Sequence, residues 1–232
     1  MVRTALTARK FITAIEPLAK DPSLVRVELD GTVVGTVLRT TADELGLRVG
    51  GRLTKSALAT LAAAIDLAAA RTTALKLVSK SDRSRALLAS QLVERGHSES
   101  AAEAAVSRLA EDGWIDDARF ASERARRITE RRQLAHALLA MTLVNEGVPD
   151  RLAVTAAREH APPETDIKRA ITLAKRTLTD SATPAGGAKV PADAKLIRRA
   201  ARVLARAGFD ADTIATAITK AAGRAGARLL EE

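Results

Sequence analysis

Asp116 and Asp117, next to the single Trp at position 114, are the first place to look for acid–base or metal chemistry in this 232-residue chain. On a helix, neighbouring side chains point about 100° apart, so the pair cannot grip one ion or divide the roles of acid and base. No third acidic ligand stands at a useful spacing. A helix N-terminus uses them better: Asp116 as N-cap and Asp117 in the first turn contribute about 1 kcal/mol together. His97, His136 and His160 are 39 and 24 residues apart, with no Cys and no His-Glu spacing, so neither zinc binding nor catalysis is expected of them. Gly50-Gly51 and Gly186-Gly187 lack the phosphate-loop pattern and a following Lys-Ser/Thr. With no nucleophile–base constellation either, the residues predict no catalytic site, no metal, no cofactor and no enzyme.

Cations are the chemistry that remains. Arg124, Arg127 and Arg131 fall on one helical stripe with Arg119, Arg126 and Arg132 nearby, while Phe120, Ala121, Ala125 and Ile128 make the opposite face. Lys195, Arg198, Arg199, Arg202 and Arg206 form a second stripe with no acidic residue between its ends. Solvated charged faces are common on helices. Against that reading, an uncompensated run of cations repels itself, and a bound anion relieves it. A net charge of +9 and a pI near 10.4 likewise favour a polyanion or an acidic protein surface as partner.

Composition bounds the scaffold that must carry these stripes. Hydrophobic residues make up 47% but aromatics only 2%, so helices must approach closely over Ala and Leu. Cys is absent, which fits a reduced, cytoplasmic setting. Met1 to Pro17 is basic and has no apolar h-region, and Leu61 to Ala70 is ten residues long with Asp66 inside it, so a soluble chain with no membrane contact is expected.

Two regimes of pattern follow. Phe11, Thr13 and Ile15 alternate with smaller or polar residues, and Val25, Val27 and Leu29 lead into Asp30-Gly31 and then Val33, Val34 and Val37, which predicts strands and a tight hairpin. Thr41 and Glu44 are spaced as a capping box for a short helix stopped by Gly46; Gly50-Gly51 turns the chain, and Ser56 begins a long helical stretch. From there the pattern is helical and repeats around Gly96, Gly147 and Gly208, which lie 51 and 61 residues apart. Leu88 and Leu92, Leu139 and Leu143, and Ala200 and Leu204 stand eight and four residues before these glycines. Ala102 and Val106, Ala153 and Ala157, and Ile214 and Ile218 stand six and ten after. A third helix per unit is predicted at Thr73 to Lys80, Asp116 to Arg132 and Glu164 to Leu178, with Ser98, Pro149 and Asp210 marking helix starts.

The expected fold is therefore mainly α: tandem three-helix repeats in an elongated array behind a small N-terminal extension that contains a β-hairpin. The corresponding parts are an extension over 1–55, a connecting helix over 56–71, and repeats over 72–115, 116–162 and 163–232, the last with a flexible insertion near 179–192 around Thr183-Pro184-Ala185-Gly186-Gly187. Gly113, Trp114, Asp116, Asp117 and Phe120 read as a rigid junction in which both rings are core anchors.

With these features in hand the chain resembles the RecX family, bacterial regulators of the RecA recombinase, over most of its length. The resemblance is carried by Arg83-Ser84 before the Leu-rich run ending at Gly96, by Gly113 through Ala121 with its Asp-Asp-Ala-Arg-Phe-Ala core, by Gly147-Val148, and by the β segment with Leu47 to Gly50. Ala86 departs from the acidic residue usual after the Arg-Ser pair, and the insertion interrupts the third repeat. The resemblance implies a monomer lying in the groove of a RecA–DNA filament, opposing filament growth, ATPase, strand exchange and co-protease activity. Single- or double-stranded DNA would be met through phosphates, and no cofactor is implied. The expected contact residues are Arg83, Arg85, Arg119, Arg124, Arg126, Arg127, Arg131, Arg132, Lys168, Arg169, Lys195, Arg198, Arg199, Arg202 and Arg206. A sequence-independent DNA-binding helical protein and a helical scaffold for another partner remain alternatives.

Overall fold

A computed structural model describes residues 10–179 and 194–223. The insertion expected near 179–192 lies almost wholly outside them. The chain divides into two compact units, one ending at Asp116 and the next beginning at Asp117.

The first unit opens with strands β1 (Lys10–Leu18), β2 (Asp21–Leu29) and β3 (Thr32–Leu38), followed by helix α1 (Arg39–Glu44), strand β4 (Arg52–Leu53) and helices α2 (Lys55–Val78), α3 (Arg85–Glu94) and α4 (Glu99–Glu111). The sheet is antiparallel in the order β3-β2-β1-β4. Asp30 and Gly31 both take positive φ, 48° and 78°, as the two-residue hairpin between β2 and β3 demands. Ile12, Val25, Val27, Leu29 and Val37 line the inner face and pack against Leu58 and Leu61 of α2. That packing is close: a Cβ on Gly35 would lie 2.3 Å from Cγ2 of Ile65, so only glycine lets α2 come this near β3.

Two local expectations are corrected here. Thr41 lies inside α1, whose N-cap is Leu38 with no side-chain hydrogen bond, so Thr41 and Glu44 do not form a capping box. The separate helix expected over Thr73 to Lys80 does not exist either: α2 runs unbroken for 24 residues from its N-cap Thr54, and the Thr72 and Thr73 hydroxyls donate to the carbonyls of Ala68 and Ala69. α2 is long and apolar enough to cross a membrane by those criteria alone. Its apolar positions instead serve two cores, Leu58 and Leu61 against the sheet and Ala70 and Ala74 against α3 and α4.

The second unit contains α5 (Asp117–Arg131), α6 (His136–Asn145), α7 (Asp150–His160), a 3₁₀ turn (Pro163–Thr165), α8 (Asp166–Thr179), α9 (Ala194–Arg206) and α10 (Ala211–Ala222). Three helix triads each bury a cluster of their own: the C-terminal part of α2 with α3 and α4, then α5 to α7, then α8 to α10. The recurrent Leu and Ala positions before each glycine are fully buried, and those after it are buried except Ile214, which is half-buried. The glycines build the same joint each time. Gly96, Gly147 and Gly208 hold φ of 91°, 82° and 85°, and the next N–H reaches back five residues: His97 to the Leu92 carbonyl (3.2 Å), Val148 to Leu143 (3.1 Å) and Phe209 to Leu204 (3.3 Å). Of the expected helix starts, Ser98 and Asp210 are N-caps whose side chains accept from Ala101 and Thr213, while Pro149 precedes α7 by one residue without a side-chain bond.

Candidate nucleic-acid interface

The polar side chains that hold the triads together account for several residues that looked available in the sequence. Arg83 donates from Nε to Oε1 of Gln91 (2.9 Å) and from Nη1 to the Leu77 and Ser81 carbonyls, closing the C-terminus of α2. Arg169 is 13% exposed in its side chain; it is ion-paired with Asp166 and donates to the carbonyls of Leu134 (3.0 Å) and Ala161 (3.3 Å) and to the Thr165 hydroxyl. Asp166 in turn accepts the His136 N–H at 3.1 Å, so this pair ties α8 to the start of α6. Arg83 and Arg169 thus brace the fold internally: each spends several of its donors on groups within the chain.

The α5 stripe is largely neutralised as well. Arg124 makes a two-pronged pair with Glu146, Nε to Oε2 at 2.7 Å and Nη2 to Oε1 at 2.6 Å, which raises the guanidinium's pKa and anchors α5 to the joint after α6. Arg126 is held between Glu123 (3.0 Å) and Glu130 (2.5 Å), one turn away on either side, and Arg127 lies 4.0 Å from Glu123. Arg85, Arg119, Arg131, Arg132 and Lys168 are exposed.

On α9 the pattern differs. Lys195, Arg198, Arg199, Arg202 and Arg206 are all exposed, while Ile197, Ala200 and Leu204 on the opposite face are buried. Among the described residues no acidic side chain pairs with Arg198, Arg202 or Arg206, and Arg202 donates from Nε to the Arg198 carbonyl (3.2 Å). The repeat supplies an internal control. Ten and six residues before the joint glycine, the first triad carries Ala86 and Ser90, the second Ala137 and Met141, the third Arg198 and Arg202, and all six are exposed. The architecture therefore does not require charge at these positions.

The junction after α4 overturns one expectation outright. Trp114 is 56% exposed, and Ile115, at 4%, enters the core of the first triad. Phe120 is half-buried against the α5–α7 cluster, so only one of the two rings anchors a core. Asp117 lies in the first turn of α5, and Asp116 immediately precedes it.

Asp66, in the middle of α2, escaped the sequence reading as anything but a break in an apolar run. It accepts from the Ser98 N–H (2.9 Å), the Ser98 hydroxyl (2.6 Å) and His97 Nδ1 (2.8 Å), fastening the α3–α4 joint to α2. Burial pushes its pKa up, but these hydrogen bonds outweigh burial and hold it below the ordinary carboxylate range. His97 Nε2 lies 3.2 Å from the Thr73 hydroxyl, His136 Nδ1 3.0 Å from the Ala161 carbonyl, and His160 Nε2 2.8 Å from the Ser122 hydroxyl. Each histidine thus sits in a structural hydrogen bond. Among the described residues no three His, Asp or Glu side chains converge as metal ligands would.

Comparison with known proteins places this arrangement. Residues 70–109, which span the end of α2, α3 and most of α4, match the family model for the first three-helix domain of RecX. The regulatory protein RecX of Halorhodospira halophila is 33% identical over 154 residues, 66% of this chain and 88% of that protein. That of Stenotrophomonas maltophilia strain R551-3 is 34% identical over 141 residues, 61% of this chain and 80% of that protein. A crystal structure of regulatory protein RecX superposes with a TM-score of 0.64 at 20% identity, covering 88% of this chain and 96% of that one. The structure of RecX from Lactobacillus salivarius gives 0.53 at 18% identity, covering 67% and 96%. Identical at about a third of the 154 residues it aligns with a RecX protein of which it covers 88%, and sharing the helical fold of solved RecX structures, the chain belongs to the RecX family.

Proposed function

We propose that this protein regulates a RecA-type recombinase by binding the recombinase–DNA filament, with the α9 ridge of Lys195, Arg198, Arg199, Arg202 and Arg206 lying against DNA phosphates. One observation carries the reading: the positions of Arg198 and Arg202 are neutral in the first two triads and cationic in the third, on an exposed face that the fold does not need charged there. Cations along one face of a helix meet a regular array of phosphates without reading bases, giving sequence-independent attachment that weakens with salt. Successive triads offer several modest contacts to a periodic polymer, and these sum on a filament where a single protomer would be held weakly. Binding alone opposes filament growth, ATP turnover and strand exchange, so the regulator needs no catalytic group of its own.

The test is inhibition of RecA's DNA-dependent ATPase at saturating DNA, with wild type beside a variant carrying Lys195→Gln, Arg198→Gln, Arg199→Gln and Arg202→Gln. The wild type should inhibit, and the variant should inhibit less at an unchanged melting temperature. Binding to naked DNA without inhibition would identify a general DNA-binding protein, and neither activity would identify a scaffold for another partner.

A further inference from the structure

Among the described residues, five helix ends close with the same joint, a glycine at positive φ followed by an N–H that bonds five residues back: those at Gly46, Gly96, Gly113, Gly147 and Gly208. The residue after the glycine is positioned to fold back onto the helix, and an apolar residue there normally packs inward. Leu47 at 9% exposure, Val148 at 3% and Phe209 at 5% do so. His97 is half-buried and hydrogen-bonded to Asp66. Trp114 is the exception. Its N–H makes the standard bond to the Leu109 carbonyl at 2.8 Å, yet its ring faces solvent and Ile115 fills the core instead. The joint is already closed without the indole, so the largest side chain in the molecule is exposed at a rigid position where a small residue would serve the fold equally well.

Its surroundings indicate what it meets. A ring that stacks on a nucleic-acid base needs cations beside it to hold the phosphates. The two guanidiniums bound to this end of α4 are occupied: Arg71 pairs with Asp112 at 3.3 Å, and Arg108 reaches Glu111 at 3.3 Å and Asp112 at 3.6 Å. Glu111, Asp112, Asp116 and Asp117 all lie within three residues of Trp114 in the sequence, four carboxylates against the three guanidiniums of Arg71, Arg108 and Arg119, so this junction is net negative in a chain of net charge +9. Such a setting repels a polyanion and complements a basic protein surface. We infer that Trp114 is a binding anchor that inserts into an apolar pocket with a basic rim on the protein subunits of the filament, separate from the phosphate contacts of α9. Exposed tryptophans on rigid supports are the residues that most often dominate such contacts.

This inference rests on the filament-binding reading, and its test separates the two. The full chain is labelled with 5-hydroxytryptophan, which replaces its single Trp and is excited apart from the recombinase's own tryptophans. Acrylamide quenching of the label is then compared for the free protein, with single-stranded DNA alone and with the recombinase filament. In parallel, Trp114→Ala and Trp114→Phe are titrated on both targets. Quenching should fall only with the filament. Trp114→Ala should weaken filament binding at least tenfold, with unchanged DNA binding and an unchanged melting temperature, and Trp114→Phe should recover part of the loss. Full quenching on a filament that the wild type demonstrably binds would overturn the inference alone, as would wild-type affinity in Trp114→Ala. Equal protection by DNA alone would assign the ring to base stacking and overturn it too, while a wild type that does not bind the filament would overturn the parent reading.

Discussion

α5 and α9 carry five cations each, but the carboxylates around them are arranged differently. On α5, Glu123 and Glu130 stand three or four residues from Arg126, and Glu146 reaches across from the end of α6 to grip Arg124. On α9 the residues between Lys195 and Arg206 other than the cations are Leu, Ile, Ala and Val, and among the described residues no acidic side chain pairs with Arg198, Arg202 or Arg206. The number of charges alone does not describe a helix face; carboxylates one turn away decide how much of that charge is compensated within the fold. Arg83 and Arg169 extend such compensation to guanidiniums that hold the backbone itself.

If the braced cations are structural, removing them should alter stability and leave binding alone, while the α9 cations should do the reverse. Arg169→Ala has the largest expected effect, about 3 kcal/mol of folding free energy, because it strands Asp166 and leaves two carbonyls short of a donor. Urea denaturation measures it, and a loss under about 0.5 kcal/mol would move Arg169 to the surface class. The four-residue α9 variant should lose about 100-fold in filament affinity near physiological salt with no change in its denaturation midpoint. Arg124→Gln should cost about 1 kcal/mol, since the pair is only partly buried, and should leave filament affinity unchanged.

Asp66 extends the comparison to a carboxylate used as a brace. Its pKa is lower in the folded chain than in the unfolded one, so the stability it contributes is complete above the ordinary carboxylate value near pH 4. That contribution fades as pH drops through the depressed folded value. Asp66→Asn should therefore flatten the fall of melting temperature below about pH 4, and an unchanged acid limb would remove Asp66 from this role. The smallest effect belongs to Trp114→Ala, which should change stability by no more than about 0.5 kcal/mol, against the 3 to 5 kcal/mol expected of a core ring.

Periodicity made most of the scaffold legible. Leu88, Leu139 and Ala200 occupy equivalent buried positions because the fold repeats a single joint, and a glycine at positive φ followed by an inward residue leaves a signature that spacing alone reveals. Asp30-Gly31 was legible for the same local reason. Features decided by tertiary contacts were not. Thr41 and Glu44 have the spacing of a capping box, but β3 runs directly into α1, so the cap falls at Leu38. Trp114 is where an inward residue is expected, and nothing local says that Ile115 takes the core in its place. Within the α5 stripe, Glu123 and Glu130 were visible one turn away, whereas Glu146, 22 residues on from Arg124, is brought to it only by the packing of α5 against α6.

The most direct test of the contrast between the two helices is the salt dependence of filament binding, measured for the wild type, the four-residue α9 variant and an Arg126→Gln, Arg127→Gln variant of α5. Each phosphate contact adds about 0.7 to 0.9 to the slope of log affinity against log salt, so the α9 variant should lose about 3 from that slope and the α5 variant less than about 0.5. Equal slopes for the α9 variant and the wild type would show that this ridge does not meet phosphates, and would contradict the account.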